Sequence, residues 1–63
     1  MTEERFDIFL GNPDDGPLWL ETASGLSKAR ERMGQIAAER PGRYFLFSLQ
    51  SHTVFAQIET FKN

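Results

Sequence analysis

The chain has 63 residues, a formal net charge of −2 and a pI near 5.2, which leaves room for one domain and argues against a nucleic-acid binder, whose surface is usually basic. It has no cysteine and one histidine, which excludes disulfides and a Cys/His zinc site. With 40% hydrophobic and 13% aromatic residues it is too apolar for a disordered chain, yet no apolar run approaches the ~20 residues of a membrane span.

The first predicted element is a strand at Arg5–Leu10, where Phe6, Ile8 and Leu10 alternate with Arg5, Asp7 and Phe9. Residues 11–17 read Gly-Asn-Pro-Asp-Asp-Gly-Pro, a dense turn signal. Residues 18–23 alternate again, with Leu18, Leu20 and Thr22 against Trp19 and Glu21, so the two strands should form an antiparallel hairpin. If Phe9 faces Trp19 directly, Asp7 faces Glu21, two like charges; a shift of two residues sets Arg5 against Glu21 instead.

The period then lengthens. Leu26, Ala29, Met33, Ile36 and Ala37 form one face of a helix. Ser24, with Thr22 as its rival, is the expected N-cap, because its hydroxyl can accept from a free first-turn N–H. Pro41-Gly42 stops the helix. A third strand at 43–49 places Phe45, Phe47 and Leu49 on one face and Tyr44, Leu46 and Ser48 on the other. After a turn at Ser51-His52, a fourth strand at 53–60 carries Val54, Ala56 and Ile58 on one side. Pairing Leu49 with Val54, Phe47 with Ala56 and Phe45 with Ile58 puts both apolar sets on one face.

The expected architecture is therefore α+β, a single ββαββ domain over residues 1–63, with one helix packed across one face of a four-stranded sheet. Strand order 2-1-4-3, as in a β-grasp, and order 1-2-3-4 both satisfy the pattern. The helix should cover Phe6, Ile8, Leu10, Leu18, Leu20, Phe45, Phe47, Leu49, Val54, Ala56 and Ile58. That leaves Phe9, Trp19, Tyr44, Leu46 and Phe55 on the opposite face, among Arg5, Asp7, Glu21, Ser48, Thr53, Gln57 and Glu59. An open antiparallel sheet normally shows water a polar second face, and aromatic anchors within a polar rim describe an interaction surface. Cross-strand aromatic pairs also stabilise a sheet with no partner at all. A chain this short buries only about 60% of its unfolded surface, so a partner subunit would add to a small core. A homodimer or a small protein partner is the expectation.

No catalytic apparatus is legible. His52 sits in a turn with no base–nucleophile set beside it, and no catalytic, metal-binding or cofactor-binding residue is expected. Asp14-Asp15 lacks the oxygen ligands of a calcium loop, and the glycines are scattered rather than grouped for phosphate. Lys28, Arg30, Arg32, Arg40 and Arg43 make the helix side basic, but Glu31 and Glu39 stand among them, so it reads as a solvated mixed-charge face. Phe9, Trp19, Tyr44 and Phe55 could stack single-stranded bases; Asp7, Glu21 and Glu59 on the same face would repel phosphates, so nucleic acid is the alternative partner. The acidic, polar start Met1-Thr2-Glu3-Glu4-Arg5 is unlike a signal peptide, and the expectation is a cytoplasmic protein with neither a membrane partner nor a small-molecule ligand.

Gly16-Pro17-Leu18-Trp19-Leu20-Glu21, then Leu26 through Ala29, Arg32-Met33 and Ala37-Ala38, then Pro41-Gly42-Arg43-Tyr44-Phe45-Leu46-Phe47, resembles a group of very short bacterial proteins of unknown function. The resemblance implies a bacterial cytosolic source and agrees with ββαββ, and it carries no catalytic or ligand residues over to this chain.

Overall fold

Two turn-rich stretches and two changes of hydrophobic period divide the chain into five elements. The computed structural model describes residues 4–60. It contains β1 (Arg5–Leu10), β2 (Leu18–Ser24), α1 (Leu26–Glu39), β3 (Arg43–Ser48) and β4 (Thr53–Glu59). The four strands form one sheet in which every neighbouring pair is antiparallel.

The strand order is β2-β1-β3-β4, which differs from both expected orders. β1 and β3 are central and antiparallel, so β2 and β3 run parallel on either side of β1, with α1 as the crossover between them. The reason lies in the side chains. β3 carries large apolar residues on both faces, Tyr44 and Leu46 on one and Phe45 and Phe47 on the other, and a central position gives both sets neighbours to pack against.

Residues directly opposite in a sheet share a face. Phe6 pairs with Ser48, Ile8 with Leu46 and Leu10 with Tyr44. The helix therefore covers Tyr44, Leu46 and Ser48, and the expected assignment of β3 is inverted. Tyr44 and Leu46 are fully buried with Phe6, Ile8 and, from α1, Ala29, Met33 and Ala37. Phe45 and Phe47 lie on the other face, and Leu49 is in the turn, 40% exposed. Polar atoms under the helix are answered locally. The Tyr44 hydroxyl donates to the Arg40 carbonyl at the helix end, and Ser48 Oγ donates to Glu4. Small residues at 29 and 37 let the helix sit close over the large Tyr44 and Phe6 rings.

Both edge strands contain a bulge. In β4, Phe47 pairs with Val54 but Leu46 with Ala56, leaving Phe55 as the extra residue. Val54 thus shares the open face with Phe47, while Ala56 and Ile58 face the helix side with Leu46 and Tyr44. The expected parity at the turn holds; the bulge reverses it further along. In β2, Phe9 pairs with Trp19 and Ile8 with Glu21, so Leu20 is the extra residue. This bulge removes the predicted conflict, because Asp7 then meets Thr22 rather than Glu21. Glu21 turns to the helix side, where its carboxylate pairs with Arg32 at 2.8 Å. That bond, together with the charge of Glu21, raises the pKa of Arg32 above its ordinary value.

The helix begins one residue later than expected. Ser24 closes β2, and Gly25 is the N-cap without a side-chain bond. Its φ of 87° suits glycine, and it lets the Gly25 N–H reach the Glu4 carbonyl while its own carbonyl accepts from Ala29. At the other end the Arg40 N–H donates to Ile36, and Pro41 stops the helix. Thr60 Oγ1 accepts from the Gly42 N–H, tying the end of β4 to the start of β3. Among the described residues no helix is long and apolar enough to cross a membrane.

Replacing Leu46 by Ala should lower the unfolding free energy by about 2–5 kcal/mol. Replacing Leu49 by Ala should change it by about 0.5 kcal/mol or less. Urea unfolding of the two variants checks which face of β3 the helix covers.

Candidate interaction surface

The side chains on the open face come from the odd-numbered positions of β1 and β3, re-phased at each edge by the bulges. Phe9 and Phe45 pair across β1 and β3 and stack with ring centroids 5.0 Å apart and planes 11° from parallel. Phe47 meets Phe9 edge-on at 6.4 Å. The His52 ring stacks on the other side of Phe47 at 6.2 Å. His52 can do so because it closes the β3–β4 turn with φ 57°, its N–H donating to the Ser48 carbonyl. Histidine is among the residues that tolerate this left-handed conformation better than most.

Residues 11–17 close over one end of this cluster. The Gly11 N–H donates to the Arg43 carbonyl at 2.8 Å, which ties the loop to β3. Gly11 has φ 115°, a backbone conformation that favours glycine, although a Cβ built there would make only ordinary contact with Pro17 Cα at 3.6 Å. Pro13 and Pro17 thereby line a hollow of about 210 Å³ with Phe9, Phe45, Phe47 and Val54. Phe45 is only 3% exposed, although α1 lies on the other side of the sheet. Val54 is 37% exposed and Trp19 is 54% exposed.

Trp19 is held in place. Its indole Nε1 donates to Asp7 Oδ1 at 3.2 Å, and Thr22 Oγ1 donates to the same carboxylate oxygen. The Asp7 side chain thus serves two neighbours on β2 and orients the ring at the margin of the phenylalanine cluster.

Of the five residues expected on this face, the structure brings together Phe9 and Trp19. Tyr44 and Leu46 are core residues, for the parity reason given above. Phe55, the extra residue of the β4 bulge, lies against Phe6 edge-on at 5.2 Å and is 48% exposed. Phe6 belongs to the core under the helix, so Phe55 stands on that side of the sheet. The residues that replace them are Phe45, Phe47 and Val54, joined by Pro13, Pro17 and His52. The sequence carries no signal for this parity, because the acceptors that satisfy the Tyr44 and Ser48 hydroxyls, the Arg40 carbonyl and the Glu4 carboxylate, are brought into position only by the fold.

On the helix side, a shallow groove of about 480 Å³ separates the second half of α1 from β2, with Leu10, Leu20, Ile36 and Tyr44 beneath and Glu21 and Arg40 beside it. The Tyr44 hydroxyl is already engaged by Arg40 O. His52, Asp14 and Asp15 are exposed turn residues, and among the described residues no group of three or more His, Asp and Glu side chains is placed to hold a metal ion. Gly34 is exposed, with open space where a Cβ would be, so no neighbour packs closely on it. What the open face offers chemically is apolar contact and aromatic stacking, with an anchored indole at its rim.

Comparison with protein-family models, with curated proteins and with solved structures returns no match for this chain.

Phe45→Ala should cost about 3–5 kcal/mol, as for a buried core aromatic, despite its place on the open face. Trp19→Ala should cost far less. Thermal unfolding of the two variants followed by circular dichroism separates the self-buried centre of the cluster from its accessible rim.

Proposed function

We propose that this chain is a non-enzymatic protein-interaction module that uses the open face of its sheet. The observation that carries this is the hollow between Phe9, Phe45, Phe47, Val54 and the two loop prolines, bordered by the exposed, hydrogen-bonded Trp19. Its volume, about 210 Å³, lies below the roughly 300–1,000 Å³ of small-molecule sites. A space of that size suits a bulky apolar side chain offered by a protein segment. The phenylalanines pack on one another, so a partner would meet a preformed surface and lose little side-chain entropy on binding. Tryptophan is frequent among residues that dominate binding energy, and Trp19 is the anchor this reading assigns. The Asp7 carboxylate shares the face, which favours a protein partner over the phosphates of a nucleic acid. A cytoplasmic setting fits such a module and belongs to the same proposal.

Peptides selected from a random library on the immobilised chain should carry a large apolar anchor and alter Trp19 fluorescence when they bind. Trp19→Glu and Val54→Glu should each weaken them by about tenfold or more, some 1.4 kcal/mol, with the far-ultraviolet dichroism of the chain unchanged. Peptides that bind both variants as well as the parent would remove the open face as the working surface. Salt-sensitive quenching of Trp19 by single-stranded DNA, with no peptide binding, would put base stacking in its place.

A further inference from the structure

The charged side chains are divided unevenly between the two sides of the sheet. Lys28, Arg30, Arg32 and Arg40 lie on α1 and its C-cap, with Glu31 and Glu39 among them. The open face and its loop carry the opposite excess. Asp7 stands on that face directly across from Phe47, which lines the hollow. Asp14 and Asp15 are exposed in the loop between Pro13 and Pro17, the two prolines that line it. Among the described residues none of these three carboxylates has an ion-pair partner. Two cations share the face. Arg43 is already paired with Glu59 at 3.3 Å, and Arg5 lies at the end of β1 away from the loop, opposite Ser24.

Trp19 adds a second feature suited to a positive charge. It is more than half exposed, and its Nε1–H is held by Asp7 Oδ1. The face of an indole attracts a cation through its quadrupole, and tryptophan does so best among the aromatic side chains. The N–H edge is the positive part of that field. Here the carboxylate takes it up and leaves the negative faces of the ring for a ligand. Asp7 Oδ2 accepts no hydrogen bond among the described residues. An indole face and a free carboxylate oxygen therefore lie side by side, and a planar guanidinium can stack on the one and donate to the other.

We infer that the segment received by the open face is basic: an apolar anchor for the hollow with an arginine or lysine beside it in the chain. That cation lies over Trp19 against Asp7, while Asp14 and Asp15 attract the same sign of charge from the loop. The inference rests on the interaction-module reading above and names the chemistry of its partner. An acidic or phosphate-bearing partner meets the wrong sign here. Exposed charge pairs are individually weak and are screened by salt, so they choose among apolar segments, and the hollow remains the main source of affinity.

The probes are the peptides selected from the random library on the intact chain, titrated by calorimetry. They should be enriched in arginine or lysine beside the apolar anchor. Replacing that residue by glutamine should weaken binding, and replacing it by glutamate should weaken it further. The advantage of the basic peptide should shrink as salt rises from about 0.01 M to about 1 M, because the screening length falls from about 30 Å to about 3 Å. Asp7→Asn removes the charge and keeps an oxygen that can accept from Trp19. The double variant Asp14→Ser with Asp15→Ser removes the loop charges with turn-compatible residues. Each should weaken the basic peptide about two- to fivefold and leave its glutamine counterpart unchanged. Val54→Gln, which alters the hollow and adds no charge, should weaken both peptides. Selected peptides with no basic excess, or a basic advantage that survives both neutralised variants, overturn this inference and leave the interaction module standing. A library that yields no binder removes the module and this inference together.

Discussion

The pairing of β1 with β3 is the constraint on which the rest of this structure depends. Their antiparallel register sets Ile8 opposite Leu46, and both are fully buried beneath α1. Because side chains alternate at every residue, this one match also sends Phe9, Phe45 and Phe47 to the opposite face. The core and the aromatic surface are two consequences of a single register. A slip of one residue between these strands would exchange them, placing two phenylalanines under the helix and a tyrosine hydroxyl and a serine in the open. In the observed register those hydroxyls find acceptors in the Arg40 carbonyl and the Glu4 carboxylate.

The edges show how a small sheet reconciles a regular period with an irregular sequence. Strict alternation along β2 would bring Asp7 and Glu21 together, and strict alternation along β4 from the turn would set Ala56 and Ile58 on the face away from the helix. One extra residue in each strand resolves the problem. At β2 the released Glu21 finds Arg32 on the helix, an exposed pair that helps orient α1 over the edge. At β4 the released Phe55 leans on Phe6, and the two smaller apolar residues beyond it join the margin of the core. The open face keeps Trp19 and Val54 at its two borders, and these are the apolar groups a partner would reach first.

The aromatic face itself is only partly open. Phe9 stacks on Phe45, and the proline-bearing loop, tied down through Gly11, stands beside them. Part of the excess aromatic surface is thus spent on the domain's own stability, as cross-strand pairs in a small sheet are. The remainder is a hollow and an anchored indole. This division suits the interaction module we propose, in which the packed centre would supply shape and the rim contact. Both edges and the open face lie on a scaffold in which, among the described residues, one helix of 14 residues covers the sheet's other face.

Much of this protein was legible in its residues alone. Alternation marked all four strands, a spacing of three and four marked the helix, and Pro41 and the loop of residues 11–17 marked the boundaries, because these features act through local backbone sterics and periodicity. The presence of an aromatic second face was legible too, since one helix cannot cover every large apolar residue of a four-stranded sheet. Which residues form that face was not. Both faces of β3 are apolar, so counting hydrophobic side chains weighed Phe45 and Phe47 above Tyr44 and Leu46 and inverted the strand. Strand order and the two bulges were equally out of reach, as each depends on a partner distant in the chain rather than on neighbours. The sequence by itself determined the elements and their order; only tertiary packing decided their neighbours and their faces. Period-two alternation specifies that the two sides of a strand differ, but which side meets the helix is set by the strand beside it.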